Sequence, residues 1–244
     1  MNVDLKLSVG AAMTSCAALV VTTFFFLPPT LLNQFYRYTV PGGSFVEKIH
    51  PGSFVAAAAV LLGAMLGLNL WRRAESTARF AFGISLLCTI YLALRGRGAA
   101  AATFVDIFLT PTILIVCLGR LQPHQTRALA RVFVGLAVLN ALVVLAEFAV
   151  KQTLIPYVYE QGFFFRPAGF AGHPIWAGSL SYCAMYLVLL GVVTGLPRIA
   201  VMILLTACAA LSGVRMPLAM ASLVLVMYFI SRNGTTSNER IVKP

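Results

Sequence analysis

The sequence predicts an all-α fold, a polytopic transmembrane helix bundle, and three observations carry that reading. Of 244 residues, 60% are hydrophobic and 10% charged, whereas a soluble domain carries roughly 25% charge. Apolar runs recur along the chain at close to the 20 or so residues needed to cross a hydrocarbon core. Basic residues gather in the short segments between those runs, as membrane topology requires. The pI of about 9.9 therefore reflects loop charge and not a nucleic-acid surface, in keeping with a mean hydropathy of +0.90.

Eight runs are read as spans: Val9–Leu32, Gly52–Trp71, Phe80–Leu94, Ala101–Gly119, Val132–Val150, Ile175–Leu196, Ile199–Leu211 and Pro217–Ile230. The first is too long for the core of a cleaved signal peptide and is taken as a retained helix. The third and seventh are short. The seventh and eighth, parted by Ser212-Gly213-Val214-Arg215-Met216, can also be read as a broken or re-entrant pair. Trp71, Trp176, Tyr36, Tyr38, Tyr157 and Tyr159 fall near span ends, where amphipathic rings favour the headgroup level. Residues 1–231 form one transmembrane domain in this reading, and 232–244 a polar, disordered cytoplasmic tail. The Asn233-Gly-Thr sequon then lies on the inner side and is discounted as a glycosylation site.

Lysine and arginine placement sets the orientation. With the N-terminus inside, eleven basic residues are internal: Lys6, Arg72, Arg73, Arg79, Arg120, Arg127, Arg131, Arg198, Arg232, Arg240 and Lys243. Seven are external: Arg37, Lys48, Arg95, Arg97, Lys151, Arg166 and Arg215. The bias favours both termini inside and puts Arg166 and Arg215 on the outer face. Cys16, Cys88, Cys117, Cys183 and Cys208 lie within apolar runs without paired spacing and read as packing residues. Three scattered histidines make a zinc site a poor reading, so no metal is expected.

The segment Arg166-Pro-Ala-Gly169-Phe-Ala-Gly172-His173-Pro-Ile-Trp-Ala-Gly178 carries the strongest chemical signal. An arginine between apolar runs belongs at the interface or in a wet cavity, and its planar fork suits a bidentate grip on phosphate. Gly169 and Gly172 would let backbone N–H groups approach the same anion. The alternative for Arg166 is a side chain snorkelling to lipid headgroups. His173 could line the site or act as a base; alternatively it orders the segment through a local hydrogen bond. Arg215, between Gly213 and Pro217, could bind an anion where the helix is interrupted, or mark a short outer turn. Asp106 and Glu147, the acids within spans, are read as structural polar contacts and not as a proton relay.

Phe165–Gly178 resembles the outer-loop-to-helix motif of the O-antigen ligase and polymerase family: an arginine, a glycine soon after, then a proline opening a helix with small residues. Ala210-Leu211-Ser212-Gly213-Val214-Arg215 is similar to that family's Ser-x-x-Arg-type motif. The resemblance implies a GT-C-like helical glycosyltransferase of the bacterial inner membrane that needs no metal or other cofactor. Its donor would be a glycan on undecaprenyl pyrophosphate at the outer leaflet, its acceptor a glycan or lipid, and other polysaccharide-assembly proteins its partners. Arg166 and Arg215 would bind the pyrophosphate. Family members carry around a dozen spans and a large downstream outer loop with a further arginine or histidine; this sequence ends before that position. The expectation is a chain that binds donor and turns over poorly. The alternatives are a non-catalytic subunit or truncated remnant of a polysaccharide-assembly system, and a lipid-linked glycan flippase or transporter.

Overall fold

The computed structural model describes residues 3–40, 42–65, 75–119, 121–155, 165–193 and 197–241. Trp71, Arg72, Arg73, Arg120, Tyr157, Tyr159, Glu160 and Lys243, and the C-terminal ends of the second and sixth expected spans, lie outside the described residues. The described chain is all-helical, with helix at each of the eight expected segments and no strand. Among the described residues three helices are long and apolar enough to cross a membrane, or up to four if one bent pair counts as a span, against eight expected spans. The chain packs as two compact units, Met1–Leu129 and Ala130–Pro244.

In the first unit, α1 (Val3–Phe26) gives way to α2 (Pro29–Phe35) through an 83° bend. The expected single run Val9–Leu32 is therefore broken, and the cause is local. Neither Pro28 nor Pro29 has an amide N–H to continue the ladder, and Pro28 is extended (φ −65°, ψ 159°). After a 3₁₀ turn at Val46–Lys48 comes α3 (Pro51–Met65), which packs on α1. α4 (Ser76–Leu94) starts before the expected Phe80, so a run that looked short reaches 19 residues. Its first turn is polar, and hydropathy alone does not mark it.

α5 (Gly98–Phe104) and α6 (Thr110–Leu118) are joined by one π turn, Val105–Leu109, into a single span-length rod. That turn carries the buried Asp106. Its carboxylate accepts hydrogen bonds from the Tyr38 hydroxyl at 2.7 Å, the Ser53 hydroxyl at 2.6 Å and the His50 backbone N–H at 3.0 Å. Tyr38, expected as an interfacial anchor, is thus a donor to Asp106. His50 stacks on Phe24 with ring centroids 3.9 Å apart.

The division between units falls within α7 (Pro123–Val150), which begins before the expected Val132. From Ala130 onward it packs in the second unit with α8 (Pro174–Leu189), α9 (Arg198–Leu211) and α10 (Arg215–Ile241). Val134, Ala137, Ala141 and Val144 recur at three- and four-residue intervals on one face of α7 and are fully buried. They share a core with Ala177, Ala184, Met185, Met202, Leu205, Cys208, Ala209 and Ala221. So many alanines let helix backbones approach closely, the usual packing of helices in membranes. α8 and α9 have 16 and 14 residues, about 24 and 21 Å at 1.5 Å per residue, short of a hydrocarbon core of roughly 30 Å. α10 continues as helix to Ile241, through most of the segment expected as a disordered tail.

Candidate functional site

The site is built at one end of the second unit, where α8 and α10 both begin. The approach to α8 is shaped by glycine. Gly169–Ala171 forms a 3₁₀ turn, closed by Gly172 in the left-handed region (φ 66°). His173 then adopts extended backbone and caps α8, its Nδ1 accepting the Ile175 N–H at 3.2 Å. Pro174 follows at the first helical position, where a missing N–H is harmless. On the other side α9 ends at the buried Ser212, whose hydroxyl bonds the Ala209 carbonyl at 2.7 Å. Gly213 turns the chain at φ +66°, and α10 opens at Arg215.

Between these two helix starts lies a pocket of about 240 Å³ lined by Arg166, His173, Pro174, Ile175, Gly213, Val214 and Arg215. Its volume is many times the roughly 10–15 Å³ that admits a single water, room for a diphosphate-sized group. Two arginines line it, and among the described residues no carboxylate does. Each helix start adds partial positive charge, about half an elementary charge, from backbone N–H groups without carbonyl partners. The half-buried Arg166 lies across Gly213: a β-carbon built there would sit 3.3 Å from Arg166 Nε and 3.6 Å from its Cδ. Glycine at 213 serves both the turn and the seat of the arginine.

Three of the residues singled out in the sequence, Arg166, His173 and Arg215, are brought together in this pocket. Gly169 and Gly172 are not part of its lining; they shape the chain leading to it. Gly169 (φ +59°) passes so near α7 that a β-carbon would meet Asn140 Oδ1 at 2.6 Å. Burial lowers the His173 pKa from its ordinary value, favouring the neutral ring. With Nδ1 accepting from Ile175, the neutral ring carries its proton on Nε2. In that tautomer His173 offers a donor, and taking up a proton at Nδ1 requires opening the cap.

Two residues of α7 hold the segment from behind. Buried Glu147 accepts hydrogen bonds from the backbone N–H groups of Leu154 (2.6 Å), Ala168 (2.8 Å) and Gly169 (2.8 Å). Asn140 accepts from the Ala171 N–H at 3.1 Å. The sequence left this link unread, although two polar residues seven apart on an apolar helix share a face. Asp106 belongs to the first unit.

Fold and site together define an all-helical protein with apolar helices of membrane length and a basic pocket where two helices begin. Comparison with protein-family models, curated proteins and solved structures finds no match to the chain.

Proposed function

We propose that the Arg166–Arg215 pocket binds the diphosphate of an undecaprenyl-linked glycan at the outer leaflet of the bacterial inner membrane. The chain would be a multi-pass, GT-C-like protein of the kind its two motifs resemble, serving glycan transfer or polymerisation. The observation that carries this reading is the convergence of both motif arginines on one pocket. A diphosphate needs cationic donors, and paired guanidinium forks supply them without a metal. In transfer, an acceptor hydroxyl oxygen bonds to the anomeric carbon as the bond from that carbon to the phosphate oxygen breaks. The lipid diphosphate leaves with the electron pair, stabilised by the arginines, and the hydroxyl proton must pass to a base.

The geometry at His173 favours a second reading, in which the chain is a donor-binding, non-catalytic subunit. Among the described lining residues His173 is the one that titrates near neutrality, and its Nδ1 is engaged as the cap of α8, so it cannot take the acceptor's proton there without opening the cap.

The test is equilibrium binding of undecaprenyl diphosphate to the purified chain in nanodiscs. Arg166→Lys keeps the charge and loses the fork, so affinity should fall by about tenfold or more. Wild-type affinity in that variant would refute the fork. Transfer to an added glycan acceptor by the wild-type chain would reject the non-catalytic reading.

A further inference from the structure

Glu147 occupies a costly position. It is 4% exposed in the last turn of α7, where the helix dipole disfavours negative charge and the surroundings are apolar. A carboxylate there persists only if its partners are strong. Among the described residues its hydrogen bonds all go to backbone N–H groups: Leu154 on one oxygen, Ala168 and Gly169 together on the other. One side chain thereby joins the chain leaving α7 to the chain entering the pocket. The fork on 168 and 169 begins two residues after Arg166.

Gly169 is what allows the fork. Its backbone lies against Asn140 too closely for any side chain, and Asn140 fixes Ala171 one turn further along. Residues 140 and 147 stand about 10 Å apart along α7 and hold 168–171 at two points. Glu147 itself is not in the pocket lining. Both of its oxygens are engaged by backbone N–H groups outside that lining.

We infer that Glu147 is a positioning residue: its carboxylate sets the 168–169 backbone so that Arg166 lies across Gly213 and faces the pocket. The role rests on the diphosphate-binding reading for its consequence, and on backbone geometry alone for its cause. Glu147→Gln keeps the size of the side chain but turns one acceptor oxygen into a donor, which cannot pair with an N–H.

A double-mutant cycle separates positioning from general loss of structure. Undecaprenyl diphosphate is titrated into wild type, Glu147→Gln, Arg166→Ala and the double variant. Glu147→Gln should weaken binding by about tenfold in the wild-type background and by less than about twofold where Arg166 is already gone. Equal losses in both backgrounds, or no loss in either, overturn the inference. Hydrogen exchange of the peptide covering 165–173, measured without ligand, stands apart from the binding reading. The Ala168 and Gly169 amides should exchange faster in Glu147→Leu, which keeps no acceptor for them, while the amides of α8 stay protected; unchanged exchange at 168 and 169 in that variant overturns the positioning role. If wild type binds no diphosphate, the functional proposal falls and the exchange result still decides this one. Should Glu147→Gln not fold, Glu147→Asp, one methylene shorter, goes through the same cycle and must give the same pattern.

Discussion

Arg166 packs against the bare backbone of Gly213. Gly213→Ala would place a methyl group 3.3 Å from Arg166 Nε at a backbone φ of +66°. Left-handed strain of about 1 kcal/mol and a displaced guanidinium should follow. The variant should fold with a slightly lower melting temperature and bind undecaprenyl diphosphate several-fold more weakly; unchanged affinity would show that Arg166 does not need its seat on Gly213. His173 supplies a pH dependence. Its folded pKa lies below the unfolded value of about 6.5, so the cap's stabilisation is complete above about pH 6.5. It is lost as pH falls through the lower folded pKa. His173→Asn keeps a capping oxygen that does not titrate. Melting temperatures at pH 7.5 and 5.5 should therefore differ more in wild type than in this variant, and equal differences would deny His173 its capping role. Arg166, His173 and Arg215 were legible because charge and glycine stand out between apolar runs. Glu147 was read as a structural polar contact, but its partners were not legible, because they are backbone groups that no sequence pattern names.

Helix positions were legible from hydropathy, and helix ends were not. Pro28-Pro29 ended α1 inside an unbroken apolar run, whereas the polar turn Ser76–Arg79 extended α4 beyond one. Packing between elements adds constraints that composition hides. At Gly178 of α8 a β-carbon would come 2.7 Å from Pro217 Cβ and 3.0 Å from Ser212 Oγ, so α8 and the start of α10 touch through this glycine. Gly178→Ala should destabilise by about 1–3 kcal/mol, read as thermal unfolding in detergent; a neutral result would place those helices further apart. In the first unit, Asp106→Ala would leave Tyr38, Ser53 and the His50 N–H without their acceptor. Loss of about 2–4 kcal/mol is expected, at 1–3 kcal/mol for each buried donor left unpaired with partial relaxation. A melting temperature equal to wild type would remove this network as the tie between α3 and the π turn.

At the scale of the molecule, sequence and structure agree on an all-helical chain. Eight crossings were read from hydropathy, and among the described residues three or four helices meet the length and apolarity that crossing needs. The gap arises because several apolar runs, such as those of α8 and α9, form helices of only 16 and 14 residues. The eight-crossing topology is tested by reporter fusions after Arg73, Arg131, Arg166 and Arg232, which should read inside, inside, outside and inside. The opposite signal at Arg131 or Arg166 would overturn the orientation. The account's central claim is that the pocket between the starts of α8 and α10 recognises a lipid-borne diphosphate. The most direct measurement titrates the wild-type chain in nanodiscs with undecaprenyl diphosphate and, separately, with undecaprenol. Charge-assisted hydrogen bonds of about 1.5–3 kcal/mol each should make the diphosphate bind at least about tenfold tighter, and Arg166→Ala combined with Arg215→Ala should erase the difference. Equal affinity for the two lipids, or a preference that survives the double substitution, would contradict it.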